Sequence, residues 1–309
     1  MKTAKALNYE QNRLALALKS GKSNNVGVIV PRINSSFFAS VIRGIEEELY
    51  PHGYHVIICQ THEKQNMEVE NIDTLLNAQV DGILMSISTF NNDTSHFNRV
   101  LKKRIPLIFF DRKNDLDGVS SVTINDFDGG YKATKHLIEQ GCKRIAHFSV
   151  DRSIDIYKNR FLGYKQALLD HGIEFDENLV IESKSDVEEG RIAAKKLLGM
   201  EIQPDAIFSA SDWTALGAIK ELRENGLRIP ADICVVGFSN EPFTKFMELS
   251  ISTVDQFPLE MGKIAAKVFL EQVNNTENLK IEKKVVLTPE LLIRKSSLKK
   301  PILINSMDN

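Results

Sequence analysis

No stretch of the 309 residues approaches the ~18 consecutive apolar residues of a membrane span. Cysteine is scarce as well: Cys59, Cys142 and Cys234 are all there is. Three thiols cannot build a disulfide framework, and each lies in an apolar, strand-like stretch, so all three read as reduced core residues. The one apolar stretch near the start, 14–18, is shorter than the ~7–15 residues of a signal-peptide core, and a cytoplasmic location is expected. The signatures of catalysis are missing too. No GxGxxG follows a strand, and the first strand-to-helix loop, 32–36, has no glycine to let a dinucleotide pyrophosphate near the backbone. Gly21-Lys22-Ser23 resembles the end of a phosphate-binding loop, yet Leu16 stands where its upstream glycine must be. There is no HExxH, CxxC or GxSxG. The seven histidines are scattered, and even the closest pair, His52 and His55, straddles a helix end and a strand start. With no nucleophile beside a base and no metal or cofactor motif, the expectation is a binding protein, not an enzyme.

What is present is an ordinary globular composition, 42% hydrophobic and 26% charged, long enough for two domains at roughly 150 residues each. The net charge of −2 conceals an asymmetry. Residues 1–23 carry Lys2, Lys5, Arg13, Lys19 and Lys22 against Glu10, a net of +4, which leaves −6 for the rest. A basic arm on an acidic body suits a polyanion-binding appendage, although a solvated terminus would look the same.

From Val26 onward, short apolar runs at 26–30, 55–59, 82–85, 107–110, 121–124, 144–148, 206–209 and 233–237 alternate with helical patterns. Several runs are apolar throughout, as parallel strands covered on both faces must be. Phe37, Phe38, Val41, Ile42, Ile45 and Leu49 form one stripe of a 3.6-residue helix, as do Ala215, Leu216, Ile219 and Leu222. Gly44 and Gly53 are nine residues apart after the first strand, and Gly163 and Gly172 repeat that spacing after 144–148. Each second glycine suits a left-handed helix end. Two similarly built α/β lobes follow, and such lobes bind ligands at the carboxyl ends of their strands.

The order of several segments is informative. KALNYEQNRLALALKSGKSNNVGVIVP, PLIFFDR at 106–112, INDFDGGYKATKHLIEQGCKRIAHF, NRFLGYKQALLDHGI, PDAIFSASDWTALGAIKELRENGLRIPADICVVGFSNEP and STVDQFPLEMGKIAA follow one another over residues 4–270. The whole resembles LacI/GalR-family transcription regulators, with Cys142 where the family usually has histidine. The resemblance implies an α/β fold of two interleaved Rossmann-like lobes, a periplasmic-binding-protein-like type I clamshell. Residues 1–25 would hold a headpiece remnant and hinge helix. Residues 26–124 plus 257–275 would form the N-terminal lobe, 125–253 plus 280–295 the C-terminal lobe, and 296–309 a loose tail. It further implies a ligand-responsive, DNA-binding regulator that senses a mono- or disaccharide, closes on it and acts as a homodimer. Apolar residues around 67–76 and 97–101 are expected to be left over for that dimer. Operator DNA would be read only with the helix-turn-helix, of which this chain carries the end, around 3–7. A sugar-binding protein of the same clamshell, exported or cytosolic, is the alternative, and an enzyme acting on a small sugar is a further rival that no motif supports.

Carried over position by position, the resemblance nominates a hinge at Asn12, Arg13, Ala15 and Leu18, with Leu18 as a minor-groove wedge. For the ligand it nominates Asp111, beside Arg112, and Arg160, whose guanidinium offers five fixed donors. A loop carboxylate and a surface salt bridge are the plainer readings of these two. Ser211, Asp212 and Trp213 open a helix; Asp212 could simply be its N-cap, and Trp213 could be core or could stack on a sugar face. First-lobe contacts would come from Asn34, Phe37 and Phe38, with Asp126 and Phe127 at the crossover, one of Phe37 and Phe38 serving only the core. Ser239 and Asn240 complete the set, Ser239 replacing an acidic family contact.

Overall fold

The computed structural model describes residues 22–88, 94–275 and 281–299. The chain divides into two compact units, the first closing at Thr123 and recovering Pro258–Val285, the second spanning Ile124–Phe257 and continuing from Val286.

In the first unit β1 (Asn25–Val30), α1 (Ser36–Leu49), β2 (His55–Gln60), α2 (Gln65–Asn77), β3 (Gly82–Met85), α3 (Ser95–Lys102), β4 (Leu107–Phe110) and β5 (Ser120–Ile124) follow in order. All eight strands read from the sequence exist. The second unit contains α4 (Asp126–Glu139), β6 (Ile145–Ser149), α5 (Asp155–Asp170), β7 (Val180–Glu182), α6 (Val187–Leu198), β8 (Ala206–Ser209), α7 (Asp212–Glu224), β9 (Cys234–Phe238), α8 (Phe243–Phe246) and β10 (Ser252–Asp255). The chain then returns to the first unit through α9 (Pro258–Val273) and ends with β11 (Lys284–Leu287) and β12 (Glu290–Leu292). The sheets run β11-β5-β4-β3-β1-β2 and β12-β10-β9-β8-β6-β7. The pairs from β1 to β5 and from β6 to β10 are parallel, and β12 joins β10 antiparallel.

Four strands escape the sequence reading because they do not look apolar. β10 is Ser-Thr-Val-Asp, yet Ser252 and Thr253 are fully buried, their polar groups bonded inside the unit. β7, β11 and β12 are short pieces at the sheet ends, where half-exposed positions mix residue types.

Three expectations need correction. Residues 281–285 join the first unit, not the second: Ser121 N–H donates to the Lys283 carbonyl at 2.8 Å, and Lys283 N–H donates to Ser120 Oγ at 2.9 Å. The loose tail does not begin at Ser296. Ser296 and Ser297 are fully buried; Ser296 Oγ donates to the Val235 carbonyl at 2.6 Å and accepts from Ser252 N–H at 2.8 Å. Residues 300–309 lie outside the described ones. Finally, Ile72, Leu75 and Leu76 of α2 and Phe97 and Val100 of α3 are all buried in the first unit's own core, so of the apolar residues expected to be left over only Met67, Val69 and Leu101 stay partly exposed.

Helix contact fixes where the second unit's polar residues stand. A side chain on Gly163 of α5 would lie 2.1 Å from the Phe127 carbonyl oxygen, and one on Gly130 of α4 would lie 2.2 Å from that of Arg160. The two backbones therefore touch at the turn that carries Arg160. Gly53 and Gly172 take φ of 78° and 68°, the left-handed values that end a helix without a Cβ penalty.

Candidate functional site

In the second unit, β6, β8, β9 and β10 are parallel, so the residues following each strand gather at one edge of the sheet. Arg160 reaches that edge from α5 and is 3% exposed. Its Nε donates to Asp126 Oδ1 at 2.8 Å, Nη1 to the Ala210 carbonyl at 3.0 Å and Nη2 to Gln256 Oε1 at 3.2 Å. The guanidinium carbon lies 3.7 Å from the centroid of the Phe238 ring, a cation–π contact strengthened by desolvation. The plain alternative of a surface salt bridge is excluded: the pair is buried, and a buried charge persists only when paired and hydrogen-bonded. Three of the five donors are thus fixed within the unit.

Gln256 was not anticipated. It is buried, accepts from Arg160 and donates from Nε2 to Ser239 Oγ at 2.9 Å. Asp-Gln in the STVDQFP segment was the available signal. Ser239 and Asn240 have φ of 118° and 51°, uncommon for residues with a Cβ and costing about 1–3 kcal/mol each. Surrounding bonds hold them there. Ser239 N–H donates to the Val254 carbonyl at 2.9 Å and Asn240 N–H to Thr253 Oγ1 at 3.1 Å. Asn240 Oδ1 accepts from Arg294 Nη2 at 2.7 Å.

The N-cap of α7 is Ser211, whose Oγ accepts from Trp213 N–H at 3.3 Å, and not Asp212. Asp212 is fully buried and turned inward, accepting from Thr253 Oγ1 at 2.7 Å and from Glu241 N–H at 2.8 Å. Desolvation outweighs these bonds and pushes its carboxyl up to about 7. Trp213 is 42% exposed, its ring 4.6 Å from that of Phe243, so it is not a core residue. Asp126 and Phe127, expected at the crossover, stand just inside the second unit, and Phe127 is partly exposed and stacked against Tyr131.

The first unit's carboxyl edge is built differently. Asp111 follows β4 with φ 59°, is buried, and accepts from Ser86 Oγ at 3.0 Å. Arg112 Nη1 donates to Glu63 Oε2 at 2.6 Å and to the Ser88 carbonyl at 3.1 Å. Ser88 in turn donates from N–H and Oγ to Glu68 Oε2 at 2.7 and 3.0 Å. His96 Nε2 donates to Glu68 Oε1 at 2.8 Å. Glu63, Glu68 and His96 were not nominated from the sequence. Asn34 is exposed, whereas Phe37 and Phe38 are both buried, edge to face at 5.1 Å. Asn12, Arg13, Ala15 and Leu18 lie outside the described residues. Just after them, Asp81 accepts from Ser23 N–H, Ser23 Oγ and Asn24 N–H at 2.8, 3.1 and 2.8 Å, clasping the entry to β1. Among the described residues no group of three or more His, Cys, Asp or Glu side chains could hold a metal, and no helix is long and apolar enough to cross a membrane.

Two parallel α/β sheets with polar carboxyl edges define a periplasmic-binding-protein-like type I fold. Residues 23–291 match the family described as periplasmic binding proteins and sugar binding domain of LacI family, and the chain belongs to that family. The HTH-type transcriptional repressor PurR of Vibrio atlanticus is 33% identical over 296 residues, covering 95% of this chain and 87% of its own. The transcription regulator CcpA of Lactococcus lactis superposes with a TM-score of 0.78 at 27% identity, covering 88% of this chain and 98% of its own. A LacI family transcriptional regulator from Enterococcus faecium, solved with bound ribose, gives a TM-score of 0.78 at 26% identity, covering 90% of this chain and all of its own. The relatives are transcriptional regulators, PurR a repressor among them, and this chain is a ligand-responsive regulator, not an enzyme.

Proposed function

We propose that the effector is a small hydroxyl-rich molecule, a mono- or disaccharide, recognised at the carboxyl edge of the second unit's sheet. The observation that carries the reading is Arg160, locked by Asp126, Gln256 and the Ala210 carbonyl beneath the half-exposed Trp213 helix start. Its two remaining N–H donors suit hydroxyl oxygens, and Trp213 suits the C–H face of a pyranose. The bound ribose of the Enterococcus faecium regulator supports a sugar. In this reading the protein is a cytoplasmic homodimer, effector binding changes lobe closure, and closure changes the fit to operator DNA.

A planar heterocycle is the second reading, favoured because the exposed Trp213 face accepts any flat ring and because Ser239 replaces an acidic contact to sugar hydroxyls. A thermal-shift screen with sugars in one arm and nucleobases and nucleosides in the other tests both. A ligand at 100 times its dissociation constant adds about 2.7 kcal/mol. A sugar hit lost in W213A supports the first reading; hits confined to the other arm replace it.

A further inference from the structure

The amino-terminal edge of the second unit's sheet, at the opposite strand ends from Arg160, holds two thiols that effector recognition does not use. Cys142, in the turn between α4 and β6, and Cys234, the first residue of β9, are both buried. One oxygen, the carbonyl of Asp205, accepts from both residues: from Cys234 N–H at 3.0 Å and from Cys142 Sγ at 3.7 Å. The strand register explains the convergence, since Ile145 faces Ala206 and Ala206 faces Cys234 in one row across β6, β8 and β9. Gathered around that carbonyl, the two thiols are near enough for each to shift the other's proton affinity. Lys299 Nζ stands 3.9 Å from Cys142 Sγ, with its backbone N–H donating to Gln140 Oε1 at 2.9 Å. Cys234 Sγ meets the Pro230 and Ser297 carbonyls at 3.7 and 3.6 Å.

We propose that Cys142 and Cys234 form a redox site which hydrogen peroxide converts to a disulfide within the second unit. Cys142 sulfur attacks peroxide: an S–O bond forms, the O–O bond breaks, and the departing hydroxide leaves as water with the thiol proton. Cys234 sulfur then attacks the sulfenic sulfur; the S–S bond forms, the S–O bond breaks, and the oxygen leaves as a second water with the Cys234 proton. Two thiols lose two hydrogens and two electrons, and peroxide is reduced to two waters.

The surroundings divide the roles. The neighbouring Cys234 thiol, followed by the Lys299 ammonium, holds the Cys142 thiol below its ordinary range, although burial and the Asp205 carboxylate oppose this. Its partnership with Cys142, together with burial, pushes Cys234 up, so Cys234 keeps its proton until the second step. Cys59 on β2 of the first unit is only partly buried, and desolvation pushes its thiol up with no cation to oppose it. A thiol of that kind is inert, whereas a thiolate beside a cation is the nucleophile.

The test uses the full chain, reduced and then exposed to hydrogen peroxide, alkylated under denaturing conditions and mapped by peptide mass. The expected product joins the Cys142 and Cys234 peptides with loss of two hydrogens, leaves Cys59 alkylated, and raises Tm by closing the chain between 142 and 234. In C234S the sulfenic acid on Cys142 should persist and be trapped by dimedone. K299Q should slow the linkage by about threefold, since less thiolate is present and the rest of the site is unchanged. Alkylatable Cys142 and Cys234 after Cys59 has oxidised would overturn the site, and an unchanged rate in K299Q would overturn Cys142 as the attacking thiol.

Discussion

The two carboxyl edges solve the same problem with opposite materials. In the first unit the edge rests on a relay of acids and bases from several elements, Glu63–Arg112–Ser88–Glu68–His96, open to solvent at Glu63. In the second unit the buried Arg160 guanidinium is held by one buried carboxylate, Asp126, and by the neutral Gln256, which leans on Ser239, while the buried Asp212 carboxyl is held by Thr253. The contrast teaches where rigidity lies. A relay with an exposed end can lose one member and re-solvate the rest. A buried charge cannot, because removing its partner leaves it unpaired in a dry interior.

The largest expected effect is therefore R160A, which strands Asp126 and should cost about 3–5 kcal/mol in urea denaturation. R112A should cost only about 1 kcal/mol, its partner Glu63 being able to turn to water. Equal losses would end the contrast.

Asp212 comes next. Its folded pKa of about 7 lies above the unfolded value of 3.8, so its contribution is fully present below pH 4 and is lost as pH rises through 7. That difference corresponds to about 4 kcal/mol. His147 works in the other direction. Burial lowers it from 6.5 to about 3, so its contribution is present above pH 6.5 and is lost as pH falls through 3. The two slopes oppose each other between pH 4 and 6.5. D212N should make stability fall on acidification in that window, and H147F should make it rise; Tm across pH 4–7 checks both.

Smaller still, Q256L should cost about 1–3 kcal/mol by leaving Arg160 Nη2 and Ser239 Oγ without their partner. It should also weaken the effector-induced Tm shift. Last, R43A, which removes an exposed pair with Glu47 on α1, should leave Tm unchanged.

Much of this was visible in the order of residues. Most of the eight apolar runs became strands covered on both faces, which must be apolar at every position, and that is a local property; β2, at the sheet edge, is only partly covered. The α1 stripe and the glycines at 53 and 172 were legible for the same reason. Arg160 was nominated, but its commitment to Asp126 and Gln256 was not, because these residues are 34 and 96 positions away. Phe37 and Phe38 show the converse: a helical stripe says that an aromatic faces inward, not whether an inward face still reaches a ligand.

By itself, then, the sequence determined the βα alternation, the parallel sheets and the absence of catalytic motifs, since periodicity and spacing act over a few residues. Tertiary structure alone decided that Ser252, Thr253, Ser296 and Ser297 are interior, since a polar residue is buried only when distant partners satisfy it. It also decided that Asp212 is turned inward and that Cys142 meets Cys234, because both depend on which strands become neighbours in the sheet, and no short window of sequence records that.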